Sequence, residues 1–378
     1  MKIYRKRIPY IVLLLIYLPM VYINAPWYNT LITGIRIGIG CLSIIEVINL
    51  NKNTKWLGSL WIAYCLGFLM SYIYIGSLPI KEFLIAIYPI GFFLILYLKT
   101  SQNSKMMVEC YYTVAKLIIG LYIIYYVFLL IQGITDVPIL CDNRNGIQTY
   151  MSFVIGSVLL HNEYLKRKKI SKQETFLLLV ACYGIIESGS ATGILACVVG
   201  IVVYFFPRKI SVKLELLIYI FLFINIIVMQ NTKLQILQIV FKVFQKNSTF
   251  THRTWRWIFS VAQIKKHFFI GTHALEKEAS IFAQYNVELF NPHNALLYIW
   301  VFGGIITVLI FGVIMYRIAE CGKSYKYVSV FVGMILITGL MESNMTPASM
   351  TFTAFIAITF GIYNCEKKKE KNNEIFYT

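Results

Sequence analysis

Apolar runs close to the length of a bilayer-crossing helix recur along the whole chain, each closed by a short polar stretch. They fall at 8–25, 30–50, 56–76, 79–98, 113–133, 146–162, 174–187, 190–206, 212–230, 293–316, 325–341 and 347–364. A crossing helix needs about 20 mostly apolar residues. The pattern therefore predicts an all-α, polytopic integral membrane protein of about 12 transmembrane helices. The seventh run is short for a span and continues into the polar turn Glu187-Ser188-Gly189-Ser190. One long segment, 231–292, interrupts the series. The chain thus divides into an N-terminal membrane bundle at 1–230 (about nine helices), a loop at 231–292, and a C-terminal part at 293–378 with about three helices and a tail.

Composition supports this division. Of the 378 residues, 58% are hydrophobic and 14% charged, where soluble domains carry about 25% charged residues. The net charge of +18 would suggest nucleic acid in a soluble protein, but placement argues otherwise. Clusters such as Lys166-Arg167-Lys168-Lys169 and Lys367-Lys368-Lys369 fall in alternate short loops, whereas the intervening loops hold little beyond Lys81 and Arg144. That asymmetry is the positive-inside signature and puts both termini in the cytoplasm. Lys2, Arg5, Lys6 and Arg7 before the first run imitate a signal peptide, but no small-residue cleavage site follows, so the run is expected to stay as the first helix. The eight cysteines are scattered without a C-x-x-C pair, which supports neither a disulfide framework nor a zinc site.

On this topology the loop 231–292 is external. It holds eight Lys or Arg against three Glu, and loops of this length are exempt from the positive-inside rule. Two segments in it have helical apolar spacing. One is Lys233 to Gln245, with Ile236, Leu237, Val240, Phe241 and Phe244. The other is His252 to Phe268, with Trp255, Ile258, Phe259 and Ala262. Both are expected to lie along the outer membrane interface.

The polar residues that could do chemistry gather on the same side. Arg253 and Arg256 offer planar forks that match phosphate or pyrophosphate; they also suit snorkelling to lipid headgroups. His293 and Asn294 open the tenth run behind Pro292. A histidine there can exchange a proton near neutral pH, or simply mark a helix start, and Asn294 or Asn291 could cap that helix. Arg144 opens the sixth run within CDNRNG. Glu187 lies in the break ESGSATG, which lines a cavity or makes a tight external turn. Glu342 stands in MESNMTP, between the last two runs. Arg36 and Glu46 fall inside the second run and do not obviously pair.

The order of these blocks resembles the O-antigen ligase and polysaccharide polymerase superfamily of bacterial envelopes. HRTWRWIFSVAQIKKHFFIGT resembles the family's Arg-x-x-x-Trp followed by a helix and a Gly, here Arg253, Trp257 and Gly271. PHNALLYIWVFGG resembles its His-Asn-x-x-Leu followed by Gly, here His293, Asn294, Leu297 and Gly303. ESGSATG resembles its Ser-rich break, and CDNRNG its Asn-bearing helix start. The chain departs from the pattern at Ala191 or Thr192, where an Arg is usual, at Val301, where an acid is common, and at Phe268, where a proline is common.

The resemblance implies a GT-C-like membrane glycosyltransferase that acts at the outer face of the cytoplasmic membrane. Its donor would be a glycan linked to undecaprenyl pyrophosphate, with no cofactor, and with the arginines standing in for a metal. It implies His293, Glu187 or Glu342 as the catalytic base, and Arg253, Arg256, Arg144 and Asn294 as the binding set for pyrophosphate and substrate. It also implies the lipid bilayer, a flippase and a chain-length regulator as partners, and no nucleic acid. The expected activity is polymerisation of lipid-linked repeat units for capsular or extracellular polysaccharide or O-antigen. A ligase that transfers finished glycan to another acceptor shares the motifs. A lipid-linked glycan flippase would instead show internal repeats and charges along a central path, and neither stands out in the sequence.

Overall fold

The computed structural model describes residues 2–17, 26–48, 52–74, 80–133, 144–166, 169–206, 210–229, 242, 253–272, 291–323, 325–347 and 349–377. Among them the chain is helical, with no strand. The helices are α1 (Lys2–Tyr17), α2 (Pro26–Ile48), α3 (Lys52–Tyr74), α4 (Ile80–Gln102), α5 (Ser104–Ile131), α6 (Arg144–Tyr164), α7 (Lys172–Glu187), α8 (Ala191–Phe205) and α9 (Val212–Leu222). α9 runs on as a π-helical turn, Phe223–Val228. Then come α10 (Thr254–Lys266), α11 (Ala295–Cys321), α12 (Lys326–Gly339) and α13 (Met350–Tyr377).

A helix occupies each apolar run, and α10 is the additional one. Among the described residues, three helices are long and apolar enough to cross a membrane by length and composition: Trp56–Tyr74 within α3, α5 and α11. Their outward faces are apolar rather than charged. Ile131 on α5 is 80% exposed and Leu309 on α11 is 64% exposed. A helix that is apolar all round and yet uncovered suits lipid, not water.

The bundle is knit by contacts of α4 with α2 and α13, of α12 with α8 and α6, and of α11 with α3. Aromatic stacking fills its centre, with Trp61 lying 4.8 Å from Phe93 and Tyr17 lying 4.2 Å from Phe92, ring centre to ring centre. Arg36 gains a clear role here. Its Nε and Nη2 donate to the Ile16 carbonyl at 3.0 and 2.8 Å, and Tyr17 Oη donates to the Arg36 carbonyl at 2.7 Å. The guanidinium thus closes the C-terminus of α1, where unpaired carbonyls favour a cation. The Glu46 side chain lies outside the described residues.

At the end of the bundle expected to be cytoplasmic, α7 begins with a capping box. The Glu174 carboxylate accepts from Ser171 N at 2.8 Å, Ser171 Oγ at 2.7 Å and His161 Nδ1 at 2.9 Å. His161 stacks on Tyr112 and faces Glu109 at 3.7 Å. A buried carboxylate is tolerable when its lone pairs are used in this way.

The contact that positions the rest is a break in α11. Gly304 has φ +70 and splits the helix into two halves. In an unbroken helix the Val301 carbonyl would accept from Ile305 N. Instead it accepts from Thr272 N at 2.7 Å, and Ile305 N donates to the Phe268 carbonyl at 2.9 Å. The turn segment 268–272 is thereby spliced into the opened helix. Gly271, at φ +78, sits so close that a Cβ there would meet the Val301 carbonyl oxygen and the Gly303 and Gly304 nitrogens at 2.6–2.8 Å. A Cβ on Gly304 would collide with the Phe269 carbonyl.

Gly304→Ala is expected to lower the thermal midpoint of the purified protein and its yield in the membrane. The left-handed backbone alone costs about 1–2 kcal/mol, and the collision adds to that. Gly312→Ala is the control. A Cβ at Gly312 meets nothing within 4 Å, so this variant should match wild type or exceed it. Equal midpoints for the two variants would contradict the splice.

Candidate active site

The splice docks α10 beside the start of α11, and the side chains that follow from this form one constellation. Only part of the expected apolar face of the 252–268 segment turns inward. Trp257, Phe259, Ser260, Gln263 and Ile264 are buried, whereas Ile258 and Ala262 are exposed and Trp255 is half-buried. The inward face is therefore mixed: it meets α11 and the π-helical turn after α9 as well as the loops before α11 and α13. The other face keeps apolar groups outward, as an interfacial helix does. The companion segment Lys233 to Gln245 lies, apart from residue 242, outside the described residues.

Two loops receive the inward face of α10. Trp257 Nε1 donates to the Pro292 carbonyl and Arg256 Nη1 to the Asn291 carbonyl, each at 3.1 Å. Arg253 reaches to the α12–α13 loop, with Nη1 donating to the Met341 carbonyl at 2.6 Å and Nη2 to Glu342 Oε1 at 2.8 Å. The other oxygen of that carboxylate, Oε2, lies 3.2 Å from His293 Nδ1. Arg253, Glu342 and His293 therefore make a line of cation, carboxylate and imidazole. Their side chains are 19%, 17% and 30% exposed, so the line is shielded but can be reached. The guanidinium of Arg256 is pushed below its usual pKa by burial and then by Arg253. It remains a cation at neutral pH, and it stacks over Trp255 at 5.2 Å.

His293 adopts the left-handed conformation, φ +49, which is uncommon for a residue with a side chain. Its N–H donates to Asn291 Oδ1 at 2.8 Å. Of the two possible caps for α11, Asn294 is the one used. Its Oδ1 accepts from Leu297 N at 2.9 Å, and its Nδ2 donates to the Leu340 carbonyl at 3.1 Å. Asn294 is fully buried, and both ends of its amide hold protein groups. Expected as a substrate ligand, it is placed as a brace between α11 and the α12–α13 loop.

The remaining expected residues stand on other elements. Glu187 ends α7 beside Tyr122 and Tyr183. The break that follows it joins α6 through Ser190 Oγ donating to Gln148 Oε1 at 3.2 Å. Ser190 also caps α8. Arg144 opens α6, with its side chain outside the described residues. Asn291, expected as a possible cap, instead accepts from the His293 backbone N–H. Two contributors were not singled out from sequence: Ser343, whose hydroxyl donates to Asn291 Oδ1, and Asn344, whose amide donates to Thr338 Oγ1. An Asn two residues before a His is a local signal for such a side-chain-to-backbone turn, but the partner 52 residues away has no local signature.

Residues 176–312 match the family model described as O-Antigen ligase. This match over 137 of the 378 residues supports the O-antigen ligase and polymerase superfamily. The matched segment contains Glu187, Arg253, Arg256, His293, Asn294 and both halves of the glycine splice, while Glu342 lies beyond it. A search of the curated proteins gave no match. The family points to an O-antigen ligase or polymerase type of function on lipid-linked glycans, and with the apolar helices it marks an integral membrane protein. The Glu342 carboxylate fixes one ring nitrogen of the His293 imidazole, and Arg253 fixes the carboxylate.

Replacing Asn294 by Ala should destabilise the protein by about 2–4 kcal/mol, from the lost helix cap and the orphaned Leu340 carbonyl. Asn294→Ser keeps a capping oxygen and should lose less. Thermal unfolding in detergent checks both. No drop for the Ala variant would show that the brace does not operate.

Proposed function

We propose that the chain polymerises lipid-linked oligosaccharide repeat units at the outer face of the cytoplasmic membrane. In this reading the twelve apolar helices are spans, both termini are cytoplasmic, and 231–292 is an external loop between two membrane parts. The donor is a glycan on undecaprenyl pyrophosphate. The single observation that carries the reading is the pairing of Arg253 and His293 through Glu342, with Arg256 one turn away on the same helix.

The chemistry follows from these positions. His293 Nδ1 faces Glu342, so Nδ1 carries the proton and Nε2 is left as the base. Nε2 takes the proton of the acceptor hydroxyl as its oxygen attacks the anomeric carbon. The bond from that carbon to the pyrophosphate oxygen breaks, and its electron pair leaves with the lipid pyrophosphate. Direct displacement inverts the anomeric centre. Arg256, which makes one hydrogen bond to a backbone carbonyl, meets the developing negative charge. Arg253 chiefly holds Glu342, and its remaining N–H groups can join in. Glu187 as a further base candidate and Arg144 as a further phosphate ligand are proposed to contribute from α7 and α6. A flippase and a chain-length regulator are the partners such a reaction implies.

His293→Ala is expected to lower the rate by about 100- to 10,000-fold, the usual worth of a positioned acid–base group. In cells, single repeat units should then accumulate on the lipid carrier in the outer leaflet. Long chains still on the lipid would identify a ligase instead, and repeat units held at the cytoplasmic leaflet would identify a transporter. Arg253→Lys should also be poor, because an ammonium cannot bond Met341 and Glu342 as a fork does. Normal polymer from Arg253→Ala would remove the arginine from the mechanism.

A further inference from the structure

Two loops of the site meet at one side-chain oxygen, and α10 joins them at the backbone carbonyl of the same residue. Asn291 Oδ1 accepts the His293 N–H at 2.8 Å and the Ser343 hydroxyl, while the Asn291 carbonyl accepts from Arg256 Nη1 at 3.1 Å. His293 and Glu342 sit on different loops, and Asn291 Oδ1 bonds the backbone of the first and the residue next to the second. The His293 backbone is left-handed, φ +49, which costs free energy and persists where surrounding bonds impose it. Asn is suited to this task because its amide oxygen can replace a backbone carbonyl in a turn. Its carbonyl oxygen also has two lone pairs, enough for both donors.

We propose that Asn291 is a positioning residue that aligns the His293–Glu342 couple and sets Arg256 beside it. The proposal rests on the glycosyl-transfer reading for its kinetic consequence, but not for its geometry. Asn291 touches no reacting atom. It acts by fixing the imidazole's direction and the separation of the two loops.

Two measurements on the full chain in detergent test it. The first uses lipid-linked glycan extracted from cells that lack this chain. Asn291→Ala should lower kcat about 10- to 100-fold, the effect of a misplacement near 1 Å, and leave KM almost unchanged. Asn291→Asp keeps the accepting oxygen and should recover most of the rate, and Ser343→Ala should give a smaller loss of the same kind. The second follows the five histidines by nitrogen-15 labelling. The Nδ1 proton bonded to Glu342 should give a downfield signal that His293→Ala and Glu342→Gln remove. Asn291→Ala should remove or shift it, and Asn291→Asp should restore it. An unaltered signal in Asn291→Ala, or Ala and Asp variants that are equally impaired in both measurements, would overturn the proposal. If wild-type protein transfers no glycan, the functional reading falls, while the imidazole signal still decides the positioning role.

Discussion

The exchange of backbone hydrogen bonds between 268–272 and the opened α11 is the constraint on which the site depends. A membrane helix ordinarily satisfies all its polar groups within itself, since lipid offers no substitute. This one is broken at Gly304, and the freed Val301 carbonyl and Ile305 N–H are both met by the neighbouring segment. The break is therefore paired, and it turns α11 into a docking point for an otherwise peripheral helix. Only glycine fits at 271 and 304, because the backbones touch where a Cβ would be.

From that anchor the rest is geometry. α10 leads directly into 268–272, so fixing its C-terminal side sets where its first turn points. That turn carries Arg253 and Arg256 onto the two loops that flank it. An arginine, a carboxylate and an imidazole then satisfy one another in a half-buried place. None of them would be comfortable there alone, since breaking such a set leaves an uncompensated charge. In the same arrangement Arg256 is half-buried, bonded to the Asn291 carbonyl and stacked over Trp255.

Much of this was legible in the sequence for definite reasons. Apolar runs had to become helices, because backbone groups in lipid pair within a helix. α10 was legible from its spacing, and Arg253, Arg256 and His293 from their isolation among apolar residues. The burial of α10 was only partly so. Of the expected face of Trp255, Ile258, Phe259 and Ala262, only Phe259 is buried, because the helix turns Trp257, Ser260 and Gln263 inward beside it. Asn294 illustrates another limit. Residue type and position indicated a polar group at a helix start, and only the packed structure shows both ends of its amide in use.

What the sequence determined by itself was local. Helix existence, charge asymmetry and the kinds of chemistry available all depend on neighbours within a few residues. What the tertiary structure decided was pairing across distance. Glu342 joins Arg253 over 89 residues and His293 over 49, and Thr272 meets Val301 across the loop between α10 and α11. Periodicity and propensity carry no information about such partners. They are set when packing brings loops together at one end of the bundle, and buried polar groups must then find one another.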